Sequence, residues 1–258
     1  VPVAEGNFDV DFNSDLKEYY AAKGYIDNLH IYEGGEDSSY DVNNVSFDVL
    51  TKRNATHALV ESEGLYLNAD LDEGYKQLLR RADNITREVE RQYKNRQLDQ
   101  AAIKQQLPNG RIQLRSDSDN IMARLLRYGG YDVGVIDLDV TTSSADGLQG
   151  GGYVTSLTLL NDSITLDSVG IALNSNDDQL GYDLMVRNNK NNAYPFTGRM
   201  QGQLQEEGLS TAVTLWDGQD KVGLDVSLLA GITQDGYRLN ITSPRSVLGY
   251  KEFSVNKA

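Results

Sequence analysis

Few residues in this chain are of a type and spacing that could do chemistry. The two histidines, His30 and His57, both sit in strand-like stretches, and neither has a second histidine at a metal-ligand spacing. Their expected role is structural. Cysteine is absent, which removes disulfides, thiolate metal sites and thiol nucleophiles together. Asp137 and Asp139 are the best candidates for a glycosidase-like carboxylate pair. They are two residues apart on one strand pattern, so both point to the same wet face, which is ordinary solubility patterning. The acidic groups at Asp37, Asp41 and Asp177-Asp178 do not have the spacing of a calcium loop. Gly147 to Gly152 is glycine-rich but precedes a strand rather than a helix. It reads as a turn or bulge and not as a phosphate loop. No catalytic residue, metal ligand or cofactor site is assigned, and the chain reads as non-enzymatic.

Charge narrows the partners. The net charge of −14 repels nucleic-acid phosphates, so nucleic acid is excluded as a non-specific partner. Residues 72 to 127 run the other way: twelve Lys or Arg stand against eight Asp or Glu, a balance of +4, which leaves −18 on the rest. An anionic partner would sit there.

The elements that must position any site are mostly strands. From Tyr153 to Val255 the chain reads as seven or eight short strands in which apolar residues alternate with small or polar ones. Leu180, Tyr182, Leu184 and Val186 form one such run. Others are Phe196 to Leu204, Leu209 to Leu215, Val222 to Leu228, and Tyr237 to Ile241. Period-two patterning gives each strand one apolar and one wet face, as in an antiparallel sheet. The gaps hold turn residues, such as Asn161-Asp162, Asn174 to Asp178 and Asp217 to Asp220, so the simplest topology is a meander. Residues 6 to 12, Val45 to Val49, Thr56 to Glu61 and Leu65 to Leu71 extend the same pattern, while Tyr19 to Lys23 reads as a helical turn or loop. Trp216 falls out of phase with Leu209 to Leu215 and faces the other side.

At Asp70 to Glu73 the period changes. Tyr75, Leu78, Leu79, Ala82, Ile85, Val89 and Tyr93 recur at spacings of three and four, one stripe of an α-helix, with Asp72 as its N-cap. A second helix runs from Leu98 to Leu107, a strand covers Gly110 to Arg115, and a third helix spans Asp119 to Tyr128 before Gly129-Gly130. The expected organisation is therefore β-strands over 1–71, a helical insertion with one strand over 72–128, and a β ladder over 129–258. The first helix is expected to lie on the apolar face of the sheet. If it does, Val89→Asp buries a charge and costs several kcal/mol. A plainer arrangement has the helices cap one end of the sheet.

In letters as well as pattern, Ser46 to Arg53 with Thr56-His57-Ala58, the helix Tyr75 to Arg96, Gly110-Arg111-Ile112, and the ending Ser243-Pro244-Arg245 to Phe253 resemble a segment of the TamB-like proteins of Bacteroides and its relatives. These belong with the AsmA-like cell-envelope proteins. The resemblance covers most of the chain, and none of its motifs is a chemical signature. It implies a long β-sheet folded into a trough with an apolar interior, in the periplasm and anchored to the inner membrane by a segment outside this chain. It also implies a part in outer-membrane biogenesis, by moving phospholipid between membranes or by helping an outer-membrane barrel protein assemble through regions outside this fragment. The helices depart from the plain family ladder.

The fold class expected is mainly β: a long antiparallel meander, folded into a trough or sandwich-like sheet and interrupted by an amphipathic helical insertion. The lipid-groove candidates are Leu184, Val186, Met200, Leu204, Val213, Leu215, Leu224, Val226, Leu239 and Ile241, expected to share one face. Phospholipid acyl chains are the expected partner, with Arg80, Arg87 and Arg91 as head-group candidates. The alternative from another class is a secreted or surface β-sandwich adhesin or glycan-binding module. Exposed aromatics beside amides on a concave surface favour glycan, and aliphatics without polar partners favour lipid.

Overall fold

The computed structural model describes residues 3–32, 39–42, 44–96, 98–159, 164–176, 179–188, 194–205, 208–233 and 236–254. The loop residues Asp37, Asn161, Asp177 and Asp178 lie outside them. The strands are β1 (Val3–Ser14), β2 (Tyr20–Tyr32), β3 (Ser39–Val42), β4 (Val45–Lys52), β5 (Ala55–Ser62), β6 (Leu65–Leu71), β7 (Gly110–Ser116), β8 (Tyr131–Asp132) and β9 (Ile136–Ser143). They continue as β10 (Gly147–Leu159), β11 (Ile164–Asn176), β12 (Gln179–Asn188), β13 (Phe196–Gln205), β14 (Gly208–Asp217), β15 (Val222–Thr233), β16 (Gly236–Ile241), β17 (Arg245–Leu248) and β18 (Lys251–Ser254). Three helices, α1 (Tyr75–Asn95), α2 (Gln100–Lys104) and α3 (Ile121–Tyr128), separate β6, β7 and β8.

All eighteen strands join one sheet. Pairing is antiparallel and follows the chain: β1 with β2, β2 with β4, then β4 to β7 in order, β7 with β9, and β9 to β15 in order. This is the mainly β meander that the alternation predicts. Strand β7 pairs with both β6 and β9, so the ladder runs straight through the segment read as a helical insertion. Two local expectations change. Tyr19 to Lys23 is not a turn, since β2 begins at Tyr20 and pairs with β1 and β4 over its first seven residues. Gly147 to Gly152 is not a turn either: Gly147 opens β10 opposite Ser143 of β9, and Gly150, Gly151 and Gly152 pair with both β9 and β11.

The helices start and lie differently from the expectation. Gly74, not Asp72, is the N-cap of α1. Its N–H donates to Arg53 O at 3.2 Å, Tyr75 N donates to Thr51 Oγ1 at 3.0 Å, and Thr56 Oγ1 donates to Glu73 O at 2.8 Å. A Cβ at position 74 would stand 2.3 Å from Lys52 O, so only glycine lets the chain press onto the β4–β5 turn. The other two helices are shorter than the apolar pattern suggested, with Asp99 and Asn120 as their N-caps.

Helix α1 does not lay its apolar stripe on the sheet. Leu79, Val89 and Tyr93 are 66%, 49% and 78% exposed. The inward side is mixed: Leu78 and Ile85 of that stripe are half-buried, beside the polar Gln77, Arg81, Asn84 and Glu88, and Gln92 is buried. Polar side chains there bond to the α2 segment, Asn84 Nδ2 to Gln106 Oε1 at 3.1 Å and Arg81 to Gln105 O at 2.9 Å. Gln92 both donates to Asp99 O at 2.7 Å and accepts from Asp99 N at 2.8 Å. Pairing those amides outweighs burying a thin apolar stripe, because an unpaired buried amide costs about 1–3 kcal/mol. Val89→Asp is therefore expected to leave the melting temperature unchanged within error. A fall of several degrees in a thermal melt contradicts this placement.

The other helices do reach the apolar face, at opposite ends of the strands. Gln100 of α2 accepts from Leu180 N at 2.9 Å and donates to Leu204 O at 2.7 Å, so one side-chain amide ties α2 to the turn-proximal ends of β12 and β13. At the other end Ile121 of α3, like Ile26 and Val60, packs against the buried pair Leu29 and Val45. The buried hydrophobic residues among those described are Leu29, Val45, Leu65, Ala123 and Val133, all at the α3 end. The molecule exposes 16424 Å². A compact monomer of 28.6 kDa exposes about 11,000 Å². Half-buried and exposed residues along the sheet contribute to that excess.

Candidate apolar face and its surroundings

Residues opposite one another in an antiparallel ladder share a face, so the register assigns faces without ambiguity. Starting at Val10, each residue's partner gives the row Val10, Gly24, Phe47, Val60, Leu67, Leu114 and Leu138 through β1 to β9. It goes on through Gly152, Ile171, Leu184, Met200, Val213 and Val226 to β15. Every member is apolar or glycine. At about 4.8 Å per strand the row follows the sheet for roughly 58 Å. A second row on the same face includes Val49, Ile112, Val140, Leu173, Leu228 and Ile241, and a third includes Val45, Leu65, Ile136, Val169, Val186 and Leu224.

All ten groove candidates lie on this face. Leu184, Met200, Val213 and Val226 are in the central row. Val186, Leu215 and Leu224 flank it on one side, with Leu204, Leu239 and Ile241 on the other. Trp216 opposes Thr197 on the reverse face. No residue of the central row is buried; Val10 and Ile171 are exposed and the rest are half-buried. The packed centre of a β-sandwich would bury such a row, and the described residues form no second sheet. Exposure rises at the lateral edges, where Phe8, Phe12, Leu239 and Leu248 are all at least 60% exposed. Between α2 and the face lies a cavity of about 130 Å³ lined by Ile103, Leu107, Leu148, Leu180 and Leu204. It marks where the floor passes under the helix.

The reverse face is polar and self-paired. Arg111 Nε donates to Asp139 Oδ1 at 2.7 Å, Arg115 stands 3.7 Å from Asp137, and Arg199 Nε donates to Asp183 Oδ1 at 2.9 Å. The Arg111 guanidinium holds the Asp139 carboxyl below its ordinary range, against the smaller opposing effect of desolvation. A general acid of a glycosidase pair needs the opposite shift, so Asp139 is not placed as that acid. His57 Nδ1 is 2.5 Å from Asp70 Oδ1, and His30 Nδ1 meets Asp41 Oδ1. His57 and then Asn68 lower the Asp70 carboxyl. Both histidines thus join neighbouring strands, and among the described residues no three metal-ligating side chains converge. A groove of about 840 Å³ crosses this face over β11 to β15, lined by Asn174, Asp183, Gln201, Gln203, Ser210 and Ser227. It offers amides and hydroxyls; the one aromatic residue in its lining, Tyr182, belongs by register to the opposite face.

The head-group candidates lie on α1. Arg87 is 2.7 Å from Asp83, and Arg91 Nε donates to Glu88 Oε2 at 2.9 Å. The Arg91 hydrogen bonds, followed by the one from Gln92, bring the Glu88 carboxyl down to about 2. Arg80 is exposed. The three recur at spacings of seven and four, along one side of α1. Residue patterning alone missed Gln100, whose amide anchors α2; a polar residue at the start of a short helix carries no local mark of such a role. No helix among the described residues is long and apolar enough to cross a membrane. Comparison of the chain with protein-family models, with curated proteins and with solved structures found no match.

Proposed function

We propose that the apolar face is a floor for phospholipid acyl chains, and that the chain is a non-enzymatic, periplasmic segment of a cell-envelope protein that moves lipid or assists outer-membrane assembly. One observation carries this reading: the central apolar row continues across thirteen strands with none of its members buried. Each acyl methylene laid on such a floor contributes roughly 0.8 kcal/mol, and no specific polar contact is required along the path. The aliphatic character of the face, with Leu, Val, Ile and Met in the central row, matches chains of variable length and saturation. The resemblance to TamB-like proteins points the same way.

The test is to extract protein purified from a bacterial host with organic solvent and look for phospholipid by mass spectrometry. Lipid above a matched soluble control is expected, and less of it from Leu184→Asp/Val213→Asp. A photo-crosslinker at Val213 or Val226, carried in the cell, should capture lipid adducts. Folded protein with neither lipid nor adducts rules the reading out.

The groove on the polar face favours a second reading, a glycan-binding module, because Asn174, Gln201 and Gln203 present amides to solvent there. Tyr182, the aromatic residue of its lining, belongs by register to the other face, which places this reading behind the acyl-chain floor. Binding to a neutral polysaccharide that Gln201→Ala/Gln203→Ala abolishes supports this second reading.

A further inference from the structure

The outward stripe of α1 has its own periodicity. Tyr75, Leu79, Ala82, Thr86, Val89 and Tyr93 recur at alternating spacings of four and three, a straight seam along one side of the helix. Tyr75 is held at the protein end, where its ring meets Tyr20 edge-on at a centroid distance of 5.3 Å. From Leu79 onward the seam faces solvent. Exposed cations flank it at Lys76, Arg80, Arg87 and Lys94. Within α1 six Lys or Arg stand against three Asp or Glu, a local charge of +3 on a chain of −14.

We propose that this face of α1 docks on the surface of an anionic phospholipid bilayer. A basic amphipathic helix of this kind lies in the interface, its apolar stripe in the acyl boundary and its cations among the phosphates. Tyr93 at its far end suits the head-group level, where a ring with a polar tip is favoured. Charge decides among occupants. A second copy would bring another +3 helix against this one, which repels, whereas anionic head groups complement it. The ion pairs of Arg87 with Asp83 and Lys94 with Glu90 are exposed surface pairs and leave the net charge of the helix unchanged.

Docking has a geometric consequence that rests on the acyl-chain reading of the sheet. Helix α1 begins on the β4–β5 turn and bonds along its inner side to the α2 segment, which is anchored at Leu180 and Leu204. A bilayer held by α1 therefore sits at the end of the apolar face where α2 crosses it.

The test is co-sedimentation of the purified chain with vesicles of phosphatidylcholine alone and of phosphatidylcholine mixed with phosphatidylglycerol. Partitioning onto the anionic vesicles is expected to be stronger by about tenfold or more and to weaken at high salt. Leu79→Glu/Val89→Asp should bring it down to the neutral-vesicle level, with circular dichroism and melting unchanged because both side chains are exposed. Arg80→Glu/Arg87→Glu should reduce it by about tenfold. Equal partitioning onto both vesicles overturns the proposal, as does binding indifferent to these variants. Self-association in gel filtration that Leu79→Glu/Val89→Asp abolishes also overturns it, since the seam then serves another helix. Extraction of lipid from the purified protein is an independent reading. Lipid without vesicle binding removes only the docking role, and vesicle binding without extracted lipid removes only the acyl-chain floor.

Discussion

Gly150→Val is expected to destabilise the protein by about 4 kcal/mol or to prevent folding. Gly150 lies inside β10 with a φ of +118°, a region that side-chain-bearing residues rarely adopt. A Cβ there would stand 2.1 Å from Asp139 O and 3.1 Å from Val140 Cα, both main-chain atoms of the paired strand β9, so neither can swing aside. Strained backbone in this region costs on the order of 1–3 kcal/mol, and forcing a side chain into occupied space costs a similar amount again. The next two residues behave alike: a Cβ at Gly151 would meet Ile171 O at 2.2 Å, and one at Gly152 would meet Asp137 O at 2.3 Å. Gly170 is the internal control. It lies in the adjoining strand β11 with no atom closer than 3.8 Å to its would-be Cβ, so Gly170→Ala should change stability by less than about 1 kcal/mol. Urea unfolding of the two variants compares them directly. Equal midpoints would falsify the close approach of β9 to β10 at this triplet.

Asn120→Ala should cost about 2–4 kcal/mol and release α3 from the sheet. Asn120 is 5% exposed and works in both directions. Its Oδ1 accepts from Ala123 N at 3.0 Å, capping α3, while its Nδ2 donates to Gly64 O at 2.7 Å and Asp117 O at 3.1 Å and lies 3.0 Å from Ser116 Oγ. Ser116 is itself buried, so alanine leaves several polar groups without partners in the interior. Loss of the cap accounts for about 1 kcal/mol and the orphaned groups for the remainder. Asn120→Asp separates the two contributions. It keeps the capping acceptor but cannot donate to Gly64 O, and it sets a negative charge among carbonyl oxygens. It should be no more stable than the alanine variant. If aspartate restores wild-type melting, the amide acts only as a cap and the link to the β5–β6 turn has no weight. Because Ile121 belongs to the cluster with Leu29 and Val45, hydrogen exchange in β4 should rise with either substitution.

The sheet was readable from local patterning because side-chain direction in a strand has period two and depends only on the neighbouring residues. Leu184, Met200, Val213 and Val226 could therefore be placed on one face from their phases alone, and the register places them there. Short polar gaps determined the meander in the same way, since a short connection leaves a strand no partner but its predecessor. What the residues could not reveal was anything that depends on a distant segment. The triplet Gly150-Gly151-Gly152 looks like a turn because glycine tolerates any backbone conformation; the close approach of Asp139 and Ile171 makes it a strand. Helix α1 has two stripes, and hydrophobicity favours the one with Leu79 and Val89. The partners of Gln92, Asn84 and Arg81 in the α2 segment turned that side inward together with Leu78 and Ile85, and only tertiary structure holds those partners. The N-cap at Gly74 follows from contact with Lys52 O and Arg53 O, 22 and 21 residues away along the chain. Most consequential for function, alternation is the same whether an apolar face is packed or open. Only the fold decided that no member of the row from Val10 to Val226 is buried, because coverage depends on where the helices and the rest of the sheet come to lie, and among the described residues α2 and α3 meet this face at its two ends.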